Sequence, residues 1–367
     1  MNKQRDSFLS LLRGDTPDTI VWTADISYWI TGMKFRGNVD PKWSDEKGYL
    51  ELCRKLRIMP YYWYDKFWLG EPFYDDTVKI TTETQDTVTR RTWSTPVGSI
   101  TEEVSFMKDS CSTAHTRYPV SDRGDLDVFL YMLEHRELRP ACIEDYPERL
   151  ELWKKYDGIP SIAMPRSPLV AFFYEWAGVQ NAVYLMMDYP DIIGELFSIM
   201  NRQEEPIIDA VCRLAPPLVH FADNLSSDNI AGLYDDYMLD GHKKRIDRFH
   251  KVGTACAVHL DGVVRGLLPK LASAGFDAVE ALTPQPGGDL PVEDMRQTAD
   301  NDRVILWGGV PGILFAPPYT WTDMDRFVRR TLDAWNGTRF ILGVADQVPP
   351  DGDISFCPRI TEITESY

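Results

Sequence analysis

Apolar and polar positions follow two different periods in the carboxyl-terminal half of the chain. Val264, Leu267, Leu268 and Leu271 recur at i, i+3, i+4 and i+7, which predicts a helix with one buried face, and Gly275 can end it as a left-handed C-cap. Shorter apolar runs predict buried strands at residues 217–222, 254–259, 277–282, 304–307 and 340–344. Because helices separate these strands at intervals of roughly 20 to 40 residues, the pattern predicts parallel β/α packing.

The other segments give weaker patterns. Residues 85–107 alternate β-forming and polar residues around Pro96 and Gly98, which predicts an inserted β-hairpin. Thr322 and Asp325 have the spacing of a capping box at the start of a helix. A strand is predicted at residues 19–23, whereas the aromatic segment 61–69 (YYWYDKFWL) predicts no clear element. No linker divides the chain, so we expect one domain over residues 1–367.

Composition narrows the classes of partner. With 367 residues, 44% of them hydrophobic, the chain can bury a large core, and its length fits one barrel or two smaller domains. A net charge of −17 disfavours nucleic acid and anionic membranes, which bind clustered lysine and arginine. Six cysteines without CxxC spacing indicate neither a disulfide framework nor a cysteine-based zinc site. No apolar run reaches the roughly 18 residues of a membrane span, so we expect a cytoplasmic protein.

Polar side chains lie at the carboxyl ends of the predicted strands. They are Asp223, Asn224, His259, Asp261, Glu280, Trp307, Asp346 and Gln347. Such ends converge in a barrel, so we expect the acids and the histidine to face one pocket. Close carboxylates can perform acid–base chemistry, and histidine with carboxylates also suits zinc, manganese or iron. The alternative for each residue alone is a structural one, as a helix cap, a turn former or a hydrogen-bonded strand end.

Aromatic residues are concentrated in the amino-terminal half. Among them are Trp22, Tyr28, Trp29, Tyr62, Trp63, Tyr64 and Trp68. They can line an apolar pocket, and Trp22, Asp25 and Tyr28 are the candidates here for binding substrate. Large aromatic residues also build cores and interfaces, so packing in the core or in a homodimer is the alternative.

Three segments resemble the uroporphyrinogen decarboxylase superfamily, and the resemblance extends over nearly the whole chain. Residues 167–178 (SPLVAFFYEWAG) are similar to a segment of the family in which an active-site tyrosine falls on Tyr174. AVHLDG resembles the family's His-x-Cys-Gly, and LGVADQVPPD resembles its late glycine-rich loop before a proline. The resemblance implies a single α/β domain, a (β/α)8 TIM barrel with the hairpin inserted in its amino-terminal half, and an active site at the carboxyl ends of the strands.

Differences from the family pattern help to distinguish between its two branches, the decarboxylases and the corrinoid-linked methyltransferases. Decarboxylases of the family carry an arginine-rich segment that binds a polycarboxylate, whereas the equivalent VWTADISYWITG has no arginine, which argues against uroporphyrinogen. The corrinoid-linked methyltransferases bind zinc through a histidine and two cysteines. Here the resemblance implies His259 with Asp261 and Asp346 in the cysteine places. Oxygen ligands are harder than thiolates, so the site would hold zinc differently, hold another divalent metal, or hold none.

Three functions follow as hypotheses. The first is methyl transfer between a small methoxy or methylamine compound and a separate corrinoid protein, with Asp223, His259, Asp261 and Asp346 in acid–base or metal roles and Tyr174 positioning the substrate. Asn224, Glu280, Trp307 and Gln347 would then contact the substrate. The second is a metal-free decarboxylase of a small carboxylated substrate, which needs a cationic clamp that the sequence does not offer. The third is a non-catalytic binding protein on a barrel scaffold.

Overall fold

The computed structural model describes residues 3–367. Its strands are β1 Trp22–Thr23, β2 Gly70–Tyr74, β3 Lys79–Gln85, β4 Val88–Thr95, β5 Gly98–Met107, β6 Ser112–Arg117, β7 Arg136–Pro140, β8 Ala163–Met164, β9 Leu218–Leu225, β10 Ala255–Leu260, β11 Ala278–Leu282, β12 Ile305–Pro311 and β13 Phe340–Ala345. Its α-helices are α1 Lys3–Leu12, α2 Ser27–Phe35, α3 Glu46–Lys55, α4 Arg123–Glu134, α5 Tyr146–Lys154, α6 Pro168–Ala171, α7 Val179–Asp188, α8 Pro190–Gln203, α9 Glu205–Leu214, α10 Ser227–Ile230, α11 Tyr234–Tyr237, α12 Leu239–His250, α13 Leu268–Ala274, α14 Met295–Ala299, α15 Trp321–Trp335 and α16 Phe356–Ser366. Within these residues, no helix combines the length and apolar character that crossing a membrane requires.

The main sheet has the strand order expected of a β/α barrel. Its strands follow one another as β8, β9, β10, β11, β12, β13 and β1, and β9 to β13 and β1 pair in parallel. The segment 58–61 connects the two edges of this sheet by backbone hydrogen bonds: Met59 N donates to Trp22 O at 3.0 Å, and Ser161 N donates to Tyr61 O at 2.9 Å. Helices flank the sheet, so the predicted α/β barrel is confirmed.

The interior of the barrel is filled by small side chains that meet large rings. Ala222, Ala257 and Ala278 belong to the same buried core as Tyr61 and Trp307, whose ring centroids are 4.8 Å apart. Small strand residues leave room for the two rings, and burial of such rings is a large contribution to the stability of a core. The barrel is therefore a packed core and not a pore.

Helix α1 lies across the amino-terminal ends of the strands. Phe8 contacts the ring of Trp307 edge-on, with ring centroids 5.3 Å apart. Leu9 and Leu12 border a cavity together with Pro217 and Ala255, which lie at the starts of β9 and β10. With this end covered by α1, the loops at the carboxyl ends are left to build a site, as in other barrels of this type.

Contacts between Cα atoms divide the chain into two compact units. The first contains the residues up to Trp68, Cys142–Ala163 and Leu214–Tyr367, and the second contains Leu69–Ala141 and Met164–Arg213. The second unit has a four-stranded antiparallel sheet in the order β3, β4, β5, β6 and a separate pair of β2 with β7. Strands β4 and β5 form the predicted hairpin, and β3 and β6 extend it on both sides. A single domain over residues 1–367 stays a prediction.

The start of helix α15 differs from the prediction. The capping box is formed by Thr320 and Asp323, and Thr320 N donates to Asp323 Oδ2 at 2.9 Å, so the predicted pair of Thr322 and Asp325 is wrong. The sequence TWTDMD contains the same spacing twice, two residues apart. Trp321 packs edge-on against Phe356 of α16, and this tertiary contact favours the earlier start. The predicted left-handed cap at Gly275, with φ of 110°, is confirmed.

Candidate active site

The centre of the candidate site is a buried pair of side chains on adjacent strands. His259 of β10 and Glu280 of β11 are partners in the parallel register, so their side chains project from the same face of the sheet. His259 Nδ1 is hydrogen-bonded to Glu280 Oε2, and Tyr61 donates its hydroxyl to Glu280 Oε1 at 3.2 Å. The side chains of His259 and Glu280 are 9% and 2% exposed. Glu280 thus fixes the imidazole and leaves its Nε2 for other partners.

Two further carboxylates converge on that second nitrogen. His259 Nε2 lies 3.5 Å from Asp261 Oδ1 and 3.8 Å from Asp346 Oδ1. One donor atom from each of the three residues lies within 4.8 Å of those from the other two. The two carboxylates are more open than the imidazole, because their side chains are 40% and 50% exposed. The cluster is therefore buried at Glu280 and accessible at Asp261 and Asp346.

The local backbone explains how these side chains reach one another. Asp346 follows β13 directly and has a left-handed conformation, with φ of 65°, which aspartate tolerates better than most residues. Asn224 near the end of β9 is also left-handed, with φ of 51°, and its amide donates to Asp261 Oδ2 at 2.7 Å. The strand ends thus supply both the carboxylates and the amide that holds one of them.

Charge coupling within the cluster shifts its pKa values. Burial lowers the pKa of His259, but the carboxylates of Glu280 and Asp261 outweigh this and raise it well above its usual value. Burial raises the pKa of Glu280, and the neighbouring His259 reverses the effect and lowers it. Burial, with repulsion from Asp261, Asp25 and Glu280, raises the pKa of Asp346 to about 7, although His259 opposes the shift. A pKa of about 7 would let Asp346 change charge near neutral pH in the metal-free protein.

Asp25, in the loop between β1 and α2, is the centre of a second cluster of polar side chains. Its Oδ2 accepts hydrogen bonds from Gln347 Nε2 at 3.0 Å and from the hydroxyl of Tyr64 at 3.2 Å, and its Oδ1 accepts one from Ser27 N at 2.8 Å. Burial raises the pKa of Asp25, and these hydrogen bonds lower it in part. Because Gln347 adjoins Asp346, this group connects the loop after β1 to the His259 cluster.

Asp223 has other partners. Its Oδ2 is hydrogen-bonded to His242 Nε2 of α12 at 3.1 Å, both side chains are 1% exposed, and the hydroxyl of Tyr234 is 3.1 Å from His242 Nδ1. Phe221, two residues earlier on β9, also contacts the His242 ring. Asp223 thus projects towards the surrounding helices, whereas Asn224, the next residue, reaches Asp261. This differs from the single pocket that the strand-end pattern predicts.

The remaining candidates occupy different settings. Trp22 and Trp307 are 0% and 1% exposed within the core, and Trp307 Nε1 donates to Thr23 Oγ1 at 2.8 Å. Tyr28 is partly exposed on α2. Tyr174 is partly exposed in a π-helical turn, Phe172–Ala177, of the second unit. Roles for these four residues in catalysis or substrate binding stay predictions.

Sequence reasoning missed the contribution of Tyr61 to the site. The residue lies in the segment 61–69, which has no periodicity, so no sequence signal indicates the long-range contacts that place it in the barrel, such as the backbone hydrogen bond from Ser161. His220 of β9 was not among the predicted site residues either; its Nε2 lies 3.2 Å from Ser161 Oγ, and burial lowers its pKa to about 4. The concentration of tyrosines was the available signal, and it did not indicate which tyrosine would face Glu280.

The donor set fits a divalent cation. A carboxylate behind the ring, as Glu280 stands behind His259, is the usual partner of a metal-binding imidazole because it fixes the tautomer and the ring orientation. Asp261 and Asp346 add two oxygen donors on the open side. One nitrogen and two oxygens suit zinc, manganese or iron, and they leave coordination positions for water or substrate.

Solved structures resemble this chain to different extents. A methyltransferase from Methanosarcina mazei superposes with a TM-score of 0.60 over 99% of this chain and 98% of its own, at 12% sequence identity. A B12-independent methionine synthase from a Shewanella species gives 0.46 at 10% identity, over 72% of this chain and 74% of its own. A D-psicose 3-epimerase from Clostridium cellulolyticum gives 0.33 at 8% identity, over 60% and 81%. No protein-family model and no curated protein sequence matches this chain.

These similarities differ in weight. The last two fall below a TM-score of 0.5 and support no conclusion. The first spans both chains and shows a shared fold. At 12% identity it carries the fold alone, because one fold hosts many chemistries.

Proposed function

We propose that this barrel transfers a methyl group from a small methylated compound to a corrinoid protein, with a divalent cation bound by His259, Asp261 and Asp346. The observation that carries the proposal is the convergence of these three donors in front of Glu280. The shared fold with a methyltransferase supports methyl transfer in general. We infer the corrinoid partner from the sequence resemblance, and an assay with cobalamin tests it.

The residues of the chain have distinct tasks in this reaction. Glu280 accepts a hydrogen bond from Nδ1–H of His259, which would leave Nε2, beside the two aspartates, as the nitrogen that binds the cation. Asn224 donates a hydrogen bond to Asp261 Oδ2, and Asp261 Oδ1 is the oxygen that lies near His259 Nε2. A bound cation would act as a Lewis acid on the atom that carries the methyl group. The bond from that atom to the methyl carbon breaks with its electron pair left on the leaving group, and the reduced corrinoid supplies the pair for the new carbon–cobalt bond.

Charge at the site favours an uncharged methyl donor over a carboxylated one. The site contains four carboxylates, those of Asp25, Asp261, Glu280 and Asp346, and a single imidazole, that of His259, and repulsion from each of the other three carboxylates raises the pKa of Asp346. Even a bound divalent cation would leave this group of residues with a net negative charge. A carboxylated substrate would meet repulsion here, which disfavours the decarboxylase hypothesis, whereas an uncharged donor would not, and the lone pair on its methyl-bearing oxygen or nitrogen could coordinate the cation.

Elemental analysis tests the cation site. The measurement compares wild type, the double variant Asp261→Ala, Asp346→Ala, and the control Asp351→Ala, which removes one exposed acid from the same loop. We expect the double variant to lose one equivalent of metal and the control to lose none. If wild type and double variant contain the same amount, the Lewis-acid mechanism is wrong, and proton chemistry by the same acids becomes the leading hypothesis.

A spectroscopic assay tests the transfer itself. The conversion of free reduced cobalamin to methylcobalamin changes its visible spectrum, and trimethylamine and methanol serve as the two types of donor. We expect wild type and Asp351→Ala to accelerate the conversion with at least one of the two donors and the double variant to lose the acceleration. Metal-loaded wild type that accelerates neither reaction would contradict methyl transfer to a corrinoid and favour the binding-protein hypothesis.

A further inference from the structure

We propose a second divalent-cation site, suited to zinc, formed by His250, Cys256 and Asp277 near the amino-terminal ends of strands β10 and β11. His250 ends α12, Cys256 is the second residue of β10, and Asp277 comes directly before β11. One donor atom from each of these residues lies within 4.8 Å of those from the other two. The site shares no residue with the His259 cluster and does not depend on the proposed function.

Backbone hydrogen bonds fix the position of the carboxylate. Asp277 N donates to Cys256 O at 2.9 Å, and Cys256 N donates to Asp277 Oδ2 at 2.7 Å, so the two residues are held side by side. His250 Nε2 lies 2.8 Å from the same carboxylate oxygen. The side chains of His250 and Asp277 are 40% and 26% exposed, so a cation can reach them and the imidazole has room to adjust.

An adjoining cavity supplies an independent sign that a polar ligand belongs here. The cavity measures about 390 Å³ and is bordered by His250 and Asp277 together with Leu9, Leu12 and Thr254. Thr254 is 1% exposed, and within residues 3–367 its hydroxyl has no hydrogen-bond partner. A buried hydroxyl without a partner is costly, and a water molecule on a bound cation would provide one.

The donor types distinguish this site from the one at the other end of the barrel. Imidazole nitrogen, thiolate sulfur and carboxylate oxygen are all zinc ligands, and three such donors with a water molecule in the fourth position would complete a tetrahedral site. The cluster of His259, Asp261 and Asp346 contains no sulfur. A bound cation here would connect the end of α12 to the starts of β10 and β11, so we infer that the site stabilises the packing of this helix on the barrel.

Cobalt(II) is the probe for this site, because a thiolate bound to it gives a charge-transfer absorption band that oxygen and nitrogen ligands do not. We expect the band in wild type and in the double variant Asp261→Ala, Asp346→Ala. We also expect it in the control Cys212→Ser, which removes a partly exposed cysteine of α9. We expect its loss in Cys256→Ser. The second variant His250→Gln, at a partly exposed position, should weaken cobalt binding without loss of fold, which circular dichroism checks.

Two outcomes would overturn the proposal. One is folded wild type that gives no charge-transfer band at saturating cobalt, which would leave His250 and Asp277 as a simple ion pair. The other is a band that persists in folded Cys256→Ser. Neither outcome bears on the proposed function, because the double variant of the His259 cluster reports on that cluster separately.

Discussion

The two ends of the barrel hold clusters with similar side chains and different surroundings. At the carboxyl ends, the buried Glu280 lies behind the ring of His259, and the partly exposed Asp261 and Asp346 lie in front of it. At the amino ends, His250 lies beside Asp277 with no second carboxylate in the cluster, and a thiol takes part. Donors from β9, β10, β11 and β13 meet at the first cluster, whereas the second involves only neighbouring elements. The convergence of strand ends therefore concentrates charge at one end of the fold.

Removing the buried partner of His242 is expected to have the largest effect on stability. Asp223→Ala leaves a buried imidazole nitrogen without its 3.1 Å partner, so we expect the free energy of unfolding to fall by about 2 to 3 kcal/mol. Urea denaturation measures the loss. Metal binding at His259 should be unchanged in the folded variant, and a large loss of metal there would mean that Asp223 belongs to the active site after all.

Glu280→Gln tests the difference between the two clusters. The amide keeps the shape of the side chain but removes the negative charge that orients His259, so we expect metal affinity at that cluster to fall about 10- to 100-fold. The matched control is Asp277→Asn at the other end, which should leave this affinity unchanged. Titration with zinc measures both variants. Equal affinities in wild type and Glu280→Gln would refute the role given to Glu280.

Asn224→Ala removes the amide that holds Asp261. The carboxylate then loses its 2.7 Å hydrogen bond and gains freedom, so we expect about tenfold weaker metal binding with little change in stability. The neighbouring variant Asp223→Ala should show the reverse, a loss of stability without a loss of metal. If Asn224→Ala and Asp223→Ala change metal affinity and the free energy of unfolding to the same extent, the separate roles given to these two residues are wrong.

The smallest expected effect is the pH dependence of stability in the metal-free protein. The pKa of Asp346 is about 7, above its ordinary value near 4, so the folded state binds this proton more tightly than the unfolded state. The stabilisation is complete below about pH 4 and is lost as the pH rises through about 7. Asp346→Asn lacks this contribution, so we expect its free energy of unfolding relative to wild type to increase from about pH 5 to about pH 8. Urea denaturation in the presence of a chelator measures it, and a constant difference would contradict the shift.

The carboxyl-terminal half could be predicted from the sequence because its strands are short, apolar and separated by helices. The run predicted at residues 254–259 forms β10, Ala255–Leu260, and the strand-end rule identified His259, Asp261 and Asp346 before their proximity was known. Asp223 could not be separated from Asn224 in this way, since the direction of each side chain depends on the local backbone. Asn224 has a positive φ that no sequence pattern showed.

The amino-terminal half resisted prediction for a different reason. The segment 61–69 has apolar and aromatic residues at nearly every position, so neither a period of 2 nor a period of 3.6 emerges. Its place between the two edges of the sheet is set by long-range backbone hydrogen bonds, such as that from Ser161 N to Tyr61 O. The hairpin at residues 85–107 was visible because it alternates, but β3 and β6 on either side were not assigned.

Anomalous diffraction from crystals of the zinc-loaded protein, recorded at the zinc absorption edge, tests most directly whether His259, Asp261 and Asp346 bind a cation. We expect a peak about 2.0 to 2.2 Å from His259 Nε2 and from one oxygen each of Asp261 and Asp346. Zinc-loaded crystals that show no peak within bonding distance of these three atoms would contradict it.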